Sequence, residues 1–163
     1  MKSGRYWFSL NYSAAAHLDM GAKAETLCRA AVHGLRVPKG IVIRHEGWLE
    51  QAQSISGAKD SRWLANARQA LKALEIPDVA ERVAVRSAFS IQDHPEETTA
   101  TSFDSKLDIE QRDIVALAEA LRAVWKSAEN SPQTVVRRDV LLMEMVKPRV
   151  SGLAYTQRDF EDD

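Results

Sequence analysis

The chain has 163 residues, 45% of them hydrophobic and 28% charged, with a formal net charge of −1; this is the make-up of one soluble domain, residues 1–163, that can build a core without staples. The balance excludes the strongly basic field of a nucleic-acid binder, and no run approaches the ~20 apolar residues of a membrane span. A lone cysteine, Cys28, excludes an intramolecular disulfide and a Cys-rich zinc site, and makes a reducing cytoplasm the expected compartment.

Tyr6–Leu10 is aromatic and apolar and predicts a short strand. Lys2 and Arg5 ahead of it imitate a secretory leader, but Asn11 and Ser13 interrupt the apolar stretch too early for one. Beyond Gly21, the spacing of Ala24, Leu27, Cys28, Ala31 and Val32 predicts a helix that Gly34 is placed to end. Cys28 then lies on the apolar stripe, a small buried hydrophobe rather than a nucleophile. Pro38-Lys39-Gly40 predicts a turn and Ile41–Ile43 a short buried strand. Trp48, Leu49 and Ala52 mark a modest helix; Trp63, Leu64, Ala67, Leu71 and Leu74 mark a clearer one, closed by Pro77. Val83–Ser87 reads as a strand, Gln92–Ser102 as a polar loop and Lys106–Ile109 as a strand. Ile114, Leu117, Leu121, Val124 and Trp125 predict a long helix, broken at Asn130-Ser131-Pro132. Val140–Val146 is a strongly apolar strand, with Leu153–Thr156 its expected antiparallel partner across a turn at Pro148. Strands interleaved with helices, and a late hairpin, predict an α/β or α+β domain with a mixed sheet flanked by helices.

Two cations stand out against this frame. Alternation along the strand puts Arg86 on one face with Ala84 and Ala88, opposite Val83, Val85 and Ser87. An arginine among small residues needs a carboxylate partner, an exposed edge position or an anion. Lys23 opens the first predicted helix, where a cation is disfavoured by the dipole unless it is simply solvated or shares the helix mouth with a phosphate. His17, His33, His45 and His94 show no metal-binding spacing, and Asp93, Glu96 and Glu97 read as a solvated acidic loop rather than a metal site.

Four segments, taken in order, add a family resemblance. The first is Gly21-Ala22-Lys23-Ala24-Glu25-Thr26-Leu27, followed by Gly34-Leu35-Arg36-Val37-Pro38-Lys39-Gly40. The second is Val83-Ala84-Val85-Arg86-Ser87 with Asp93 downstream, and the third Phe103–Ile109 leading to Ala123–Ser127. The fourth is Met143-Glu144-Met145-Val146, followed by Val150–Thr156. Together, over about residues 21–156, they resemble the N-terminal ATP-grasp domain, also called the PEP/pyruvate-binding domain, of the pyruvate, phosphate dikinase and phosphoenolpyruvate synthase family. The resemblance implies an ATP-binding subdomain of a phosphotransferase. Lys23 and Arg86 match the residues that grip the nucleotide phosphates, Ser105 and Thr101 fall in the phosphate-covering loop, and Met143 opens the hinge beside adenine. The implied cofactors are ATP and Mg²⁺, with the metal ligands expected outside this chain. The implied partners are the remaining ATP-grasp half and a phosphohistidine domain, in cis or in trans.

The sequence also departs from that pattern. Thr98-Thr99-Ala100-Thr101-Ser102 stands where the family has Ser-Phe-Ala-Gly-Gln, so Thr101 replaces a glycine that lets backbone approach phosphate. Met143 replaces a glutamine, and Gln157-Arg158-Asp159 lacks the expected Asp-Pro. The chain ends before the family's magnesium carboxylates and its swivelling histidine domain, so turnover by this chain alone is not expected. The alternative expectation is a non-catalytic relative that acts as a binding or regulatory module.

Overall fold

The computed structural model describes residues 3–13, 15, 18–57, 59–91, 103–131 and 134–150. In chain order the elements are β1 (Trp7–Ser9), α1 (Ala22–Val32), β2 (Gly40–Ile43), α2 (His45–Ser56), α3 (Trp63–Leu74), β3 (Arg82–Ile91), β4 (Ser105–Glu110), α4 (Ile114–Ser127) and β5 (Val135–Glu144). Local chemistry sets several of these limits. Gly34 adopts φ +78 after α1, a left-handed conformation that stops the helix without a Cβ penalty. The Asp113 carboxylate starts α4 by accepting from the Val115 and Ala116 amides at 2.9 and 3.1 Å, a cap worth about 1 kcal/mol.

Among the described residues the five strands form one sheet in the order β1-β2-β5-β3-β4. The protein has the expected α+β fold with helices flanking the sheet, but every pairing is antiparallel rather than mixed. The reason lies in β5. The helical crossover through α2 and α3 leaves β2 and β3 running the same way, and β5 inserts between them against both. The late partner expected at Leu153–Thr156 and the loop at Gln92–Ser102 lie outside the described residues.

Alternation sorts the side chains into two cores. On one face Ile41, Ile43, Val83, Val85, Val140 and Leu142 pack under α2, α3 and α4, with Leu74, Leu121, Val124 and Trp125 fully buried. On the other face Phe8, Val42, Ala88, Leu141 and Met143 meet Ala24 and Cys28 of α1. The α1 stripe is narrower than its spacing predicts, because Val32 is 48% exposed. The helical cover over this second face comes from α1, and the stretch around Arg86 and Ser105 is exposed. No described helix is long and apolar enough to cross a membrane.

Candidate functional site

The site grows from one close approach. Gly21 precedes α1 in extended conformation, and a Cβ there would stand 1.9 Å from the Ala88 carbonyl oxygen and 2.6 Å from its carbon. Only glycine lets the mouth of α1 rest on the backbone of β3. Lys23 follows in the first turn of the helix. Arg86 lies two residues before Ala88 on the same face, about 7 Å along the strand at ordinary β rise. The contact at Gly21 therefore brings the two predicted cations to the same patch of sheet.

Their electrostatics agree with that placement. Desolvation by the surrounding protein, and then the nearby Arg86 charge, lower the Lys23 pKa below the ordinary 10.5. Both side chains are exposed. Among the described residues neither has a carboxylate partner, whereas Arg82, Arg112 and Arg137 are paired with Asp108, Asp78 and Asp139. Nor is Arg86 at an edge, since β3 lies between β5 and β4. Two like charges drawn together by the fold, with no counter-ion among the described residues, repel each other and favour an anion between them. The first-turn N–H groups of α1 add a positive dipole end at the same spot.

The other predicted positions fall out differently. Ser105 is exposed at the start of β4 and is the direct cross-strand partner of Arg86, so its hydroxyl is on the cation face. Thr101 lies outside the described residues. Met143 shares that face as the partner of Ala84, but its side chain is 6% exposed and fills the second core. It has room because Gly40 stands opposite it, where a Cβ would come within 3.1 Å of the Met143 Cγ. The expected hinge is also partly spent. The Glu144 amide donates to the Lys39 carbonyl at 2.8 Å and the Met145 amide to that of Arg82 at 2.9 Å. Neither N–H is free to donate to a ligand.

Sequence reasoning missed a charged cluster beside this patch. Asp139 is fully buried on β5 and accepts from the Gly21 and His45 amides and from the Arg137 guanidinium. His45 accepts from the Arg138 amide through Nδ1 at 3.1 Å and stacks on Trp48. Burial, and then the Arg137 charge, hold its pKa below the ordinary 6.5. A signal was available. Arg137 and Asp139 are alternate residues on one face of a strand, and that face continues with the apolar Leu141 and Met143, so a charge pair there has to be satisfied inside.

No protein-family model matches the chain, and no curated protein matches it. What the site can do follows from its own residues. Among the described residues no group of three or more His, Cys, Asp or Glu side chains could hold a metal ion. The chemistry that Lys23 and Arg86 offer is cationic. The one thiol, Cys28, is 2% exposed in the second core, where burial pushes its pKa up to about 11.

Proposed function

We propose that the chain is the ATP-binding subdomain of a dikinase-type phosphotransferase of the phosphoenolpyruvate synthase and pyruvate, phosphate dikinase kind. The observation that carries the reading is the juxtaposition of Lys23 and Arg86 on one exposed sheet face, where neither has a carboxylate partner among the described residues. A triphosphate supplies the missing counter-charge, and the planar Arg86 guanidinium can hold two of its oxygens at once while Lys23 acts as a point charge. Ser105 adds a hydroxyl beside Arg86. These groups bind, orient and neutralise the phosphates. Magnesium, which accompanies ATP in such transfers, finds no ligand set among the described residues, and the transfer step itself belongs to groups beyond them.

A second reading, a non-catalytic binding module that keeps the anion site, is favoured by the hinge. With the Glu144 and Met145 amides committed to Lys39 and Arg82, selection for adenine is reduced relative to selection for phosphate.

Calorimetric titration with ATP and magnesium tests the reading. Charge-assisted hydrogen bonds are worth roughly 1.5–3 kcal/mol each, so Lys23→Ala and Arg86→Ala should each weaken binding by about 10–100-fold. Inorganic triphosphate binding as well as ATP favours the module; strong preference for ATP favours the phosphotransferase. Tight binding untouched by either substitution overturns both.

A further inference from the structure

One buried carboxylate joins the mouths of two helices. Asp139 lies on β5 directly opposite Ala88 of β3. Its Oδ2 accepts from the Gly21 amide at 3.2 Å and its Oδ1 from the His45 amide at 2.7 Å. Gly21 is the cap of α1 and His45 the first residue of α2. A single side chain thus satisfies an orphan donor at each helix start, at the positive end of both dipoles. Its own charge is met by Arg137, which donates through Nε and Nη2 at 3.1 and 3.2 Å. Arg137 also reaches Asp19 at 3.3 Å and Glu46 at 3.5 Å, and its side chain is only 13% exposed.

This matters at Lys23 because the two site cations repel. That repulsion pushes the mouth of α1 away from β3, against the packing of Ala24 and Cys28 in the second core. Contact with the Ala88 carbonyl stops α1 from moving inward, but contact alone cannot stop it from moving out. The hydrogen bond from Gly21 to Asp139 is directional and charge-assisted, and it opposes that outward motion. We propose that Asp139 is a positioning residue for the anion site, holding Lys23 beside Arg86 by tying the first amide of α1 to β5, with Arg137 as its counter-charge. The tether is a matter of geometry alone; its consequence for ligands rests on the phosphate reading above.

Two readouts on the full chain separate these parts: the Lys23 side-chain titration followed by NMR, and binding of inorganic tripolyphosphate by calorimetry. In Asp139→Asn the Lys23 pKa should climb toward the ordinary 10.5, and tripolyphosphate binding should weaken at least ~10-fold, the loss of one charge-assisted contact. Val124→Ala, a cavity in the opposite core, should lower stability and move neither readout. If Asp139→Asn folds and the Lys23 titration stays where it was, the proposal is overturned. If the titration moves while wild type binds no tripolyphosphate, the tether stands and the phosphate reading falls. Should the variant fail to fold, amide exchange on wild type decides: the tether requires Gly21 and His45 amides protected together, and an unprotected Gly21 amide overturns it.

Discussion

Replacing Gly21 by alanine isolates the contact on which the site is built. The backbone at Gly21, φ −67 and ψ 145, suits any residue, so the whole penalty comes from the new methyl. It would stand 1.9 Å from the Ala88 oxygen, and α1 must retreat by about 1.5 Å to reach ordinary contact. The three nearest atoms, the Ala88 oxygen and carbon and the Phe89 oxygen, are all backbone of an interior strand, so the helix has to give way rather than the sheet. That retreat stretches the 3.2 Å hydrogen bond to Asp139 beyond useful length. Overpacking costs about 1–3 kcal/mol and the lost charge-assisted bond about 1.5–3 kcal/mol, roughly 3–6 kcal/mol together. For a chain of this size the melting temperature should fall by roughly 6–24 °C, at about 2–4 °C per kcal/mol. Gly34→Ala is the control: a Cβ there meets nothing within 4 Å, and the left-handed φ costs only about 1–2 kcal/mol. Thermal and urea unfolding followed by circular dichroism measure both. A Gly21→Ala protein that melts within about 2 °C of wild type, or less damage there than at Gly34, would refute the close-approach reasoning.

Arg86→Ala should leave anion-free stability within about 0.5 kcal/mol of wild type, because the residue is exposed and its removal relieves repulsion; a large loss in urea unfolding would mean that Arg86 is structural. The lowered Lys23 pKa gives two opposite pH trends. The folded state holds that proton less tightly than the unfolded chain, so Lys23 costs stability at neutral pH, and the cost is relieved as pH rises through its folded pKa toward 10.5. Triphosphate affinity should instead fall over that alkaline range, earlier than for an ordinary lysine, and calorimetry at stepped pH would expose a flat profile. Cys28, with a thiol pKa of about 11 and 2% exposure, should resist disulfide-exchange reagents until the protein unfolds; rapid labelling of native protein would contradict its burial.

Local signals carried much of this fold. The 3.6-residue apolar rhythm from Ile114 to Trp125 is α4, and Gly34 ends α1 by the left-handed turn that its lack of a Cβ permits. Alternation in Val83–Ser87 put Arg86 on the face it occupies. The strand order was not legible, because the insertion of β5 between β2 and β3 is decided by tertiary packing. The beginning of β5 was hidden for a related reason. Arg137, Arg138 and Asp139 look like solvent-facing charge in sequence, yet Asp139 is buried because its partners arrive from two helix starts far away in the chain. The same distance concealed the state of the hinge. That the amides of Glu144 and Met145 are taken by Lys39 and Arg82 depends on register across two neighbouring strands, which no local pattern encodes.

A double-mutant cycle on tripolyphosphate affinity, with Lys23→Ala, Arg86→Ala and the combined variant, measures most directly whether the two cations serve one ligand. Convergence on a shared anion predicts that each single change weakens binding and that the double change departs from their sum by about 0.5–3 kcal/mol. Additivity within about 0.3 kcal/mol, the behaviour of distant and independent sites, would contradict a common site, as would affinities that do not change at all.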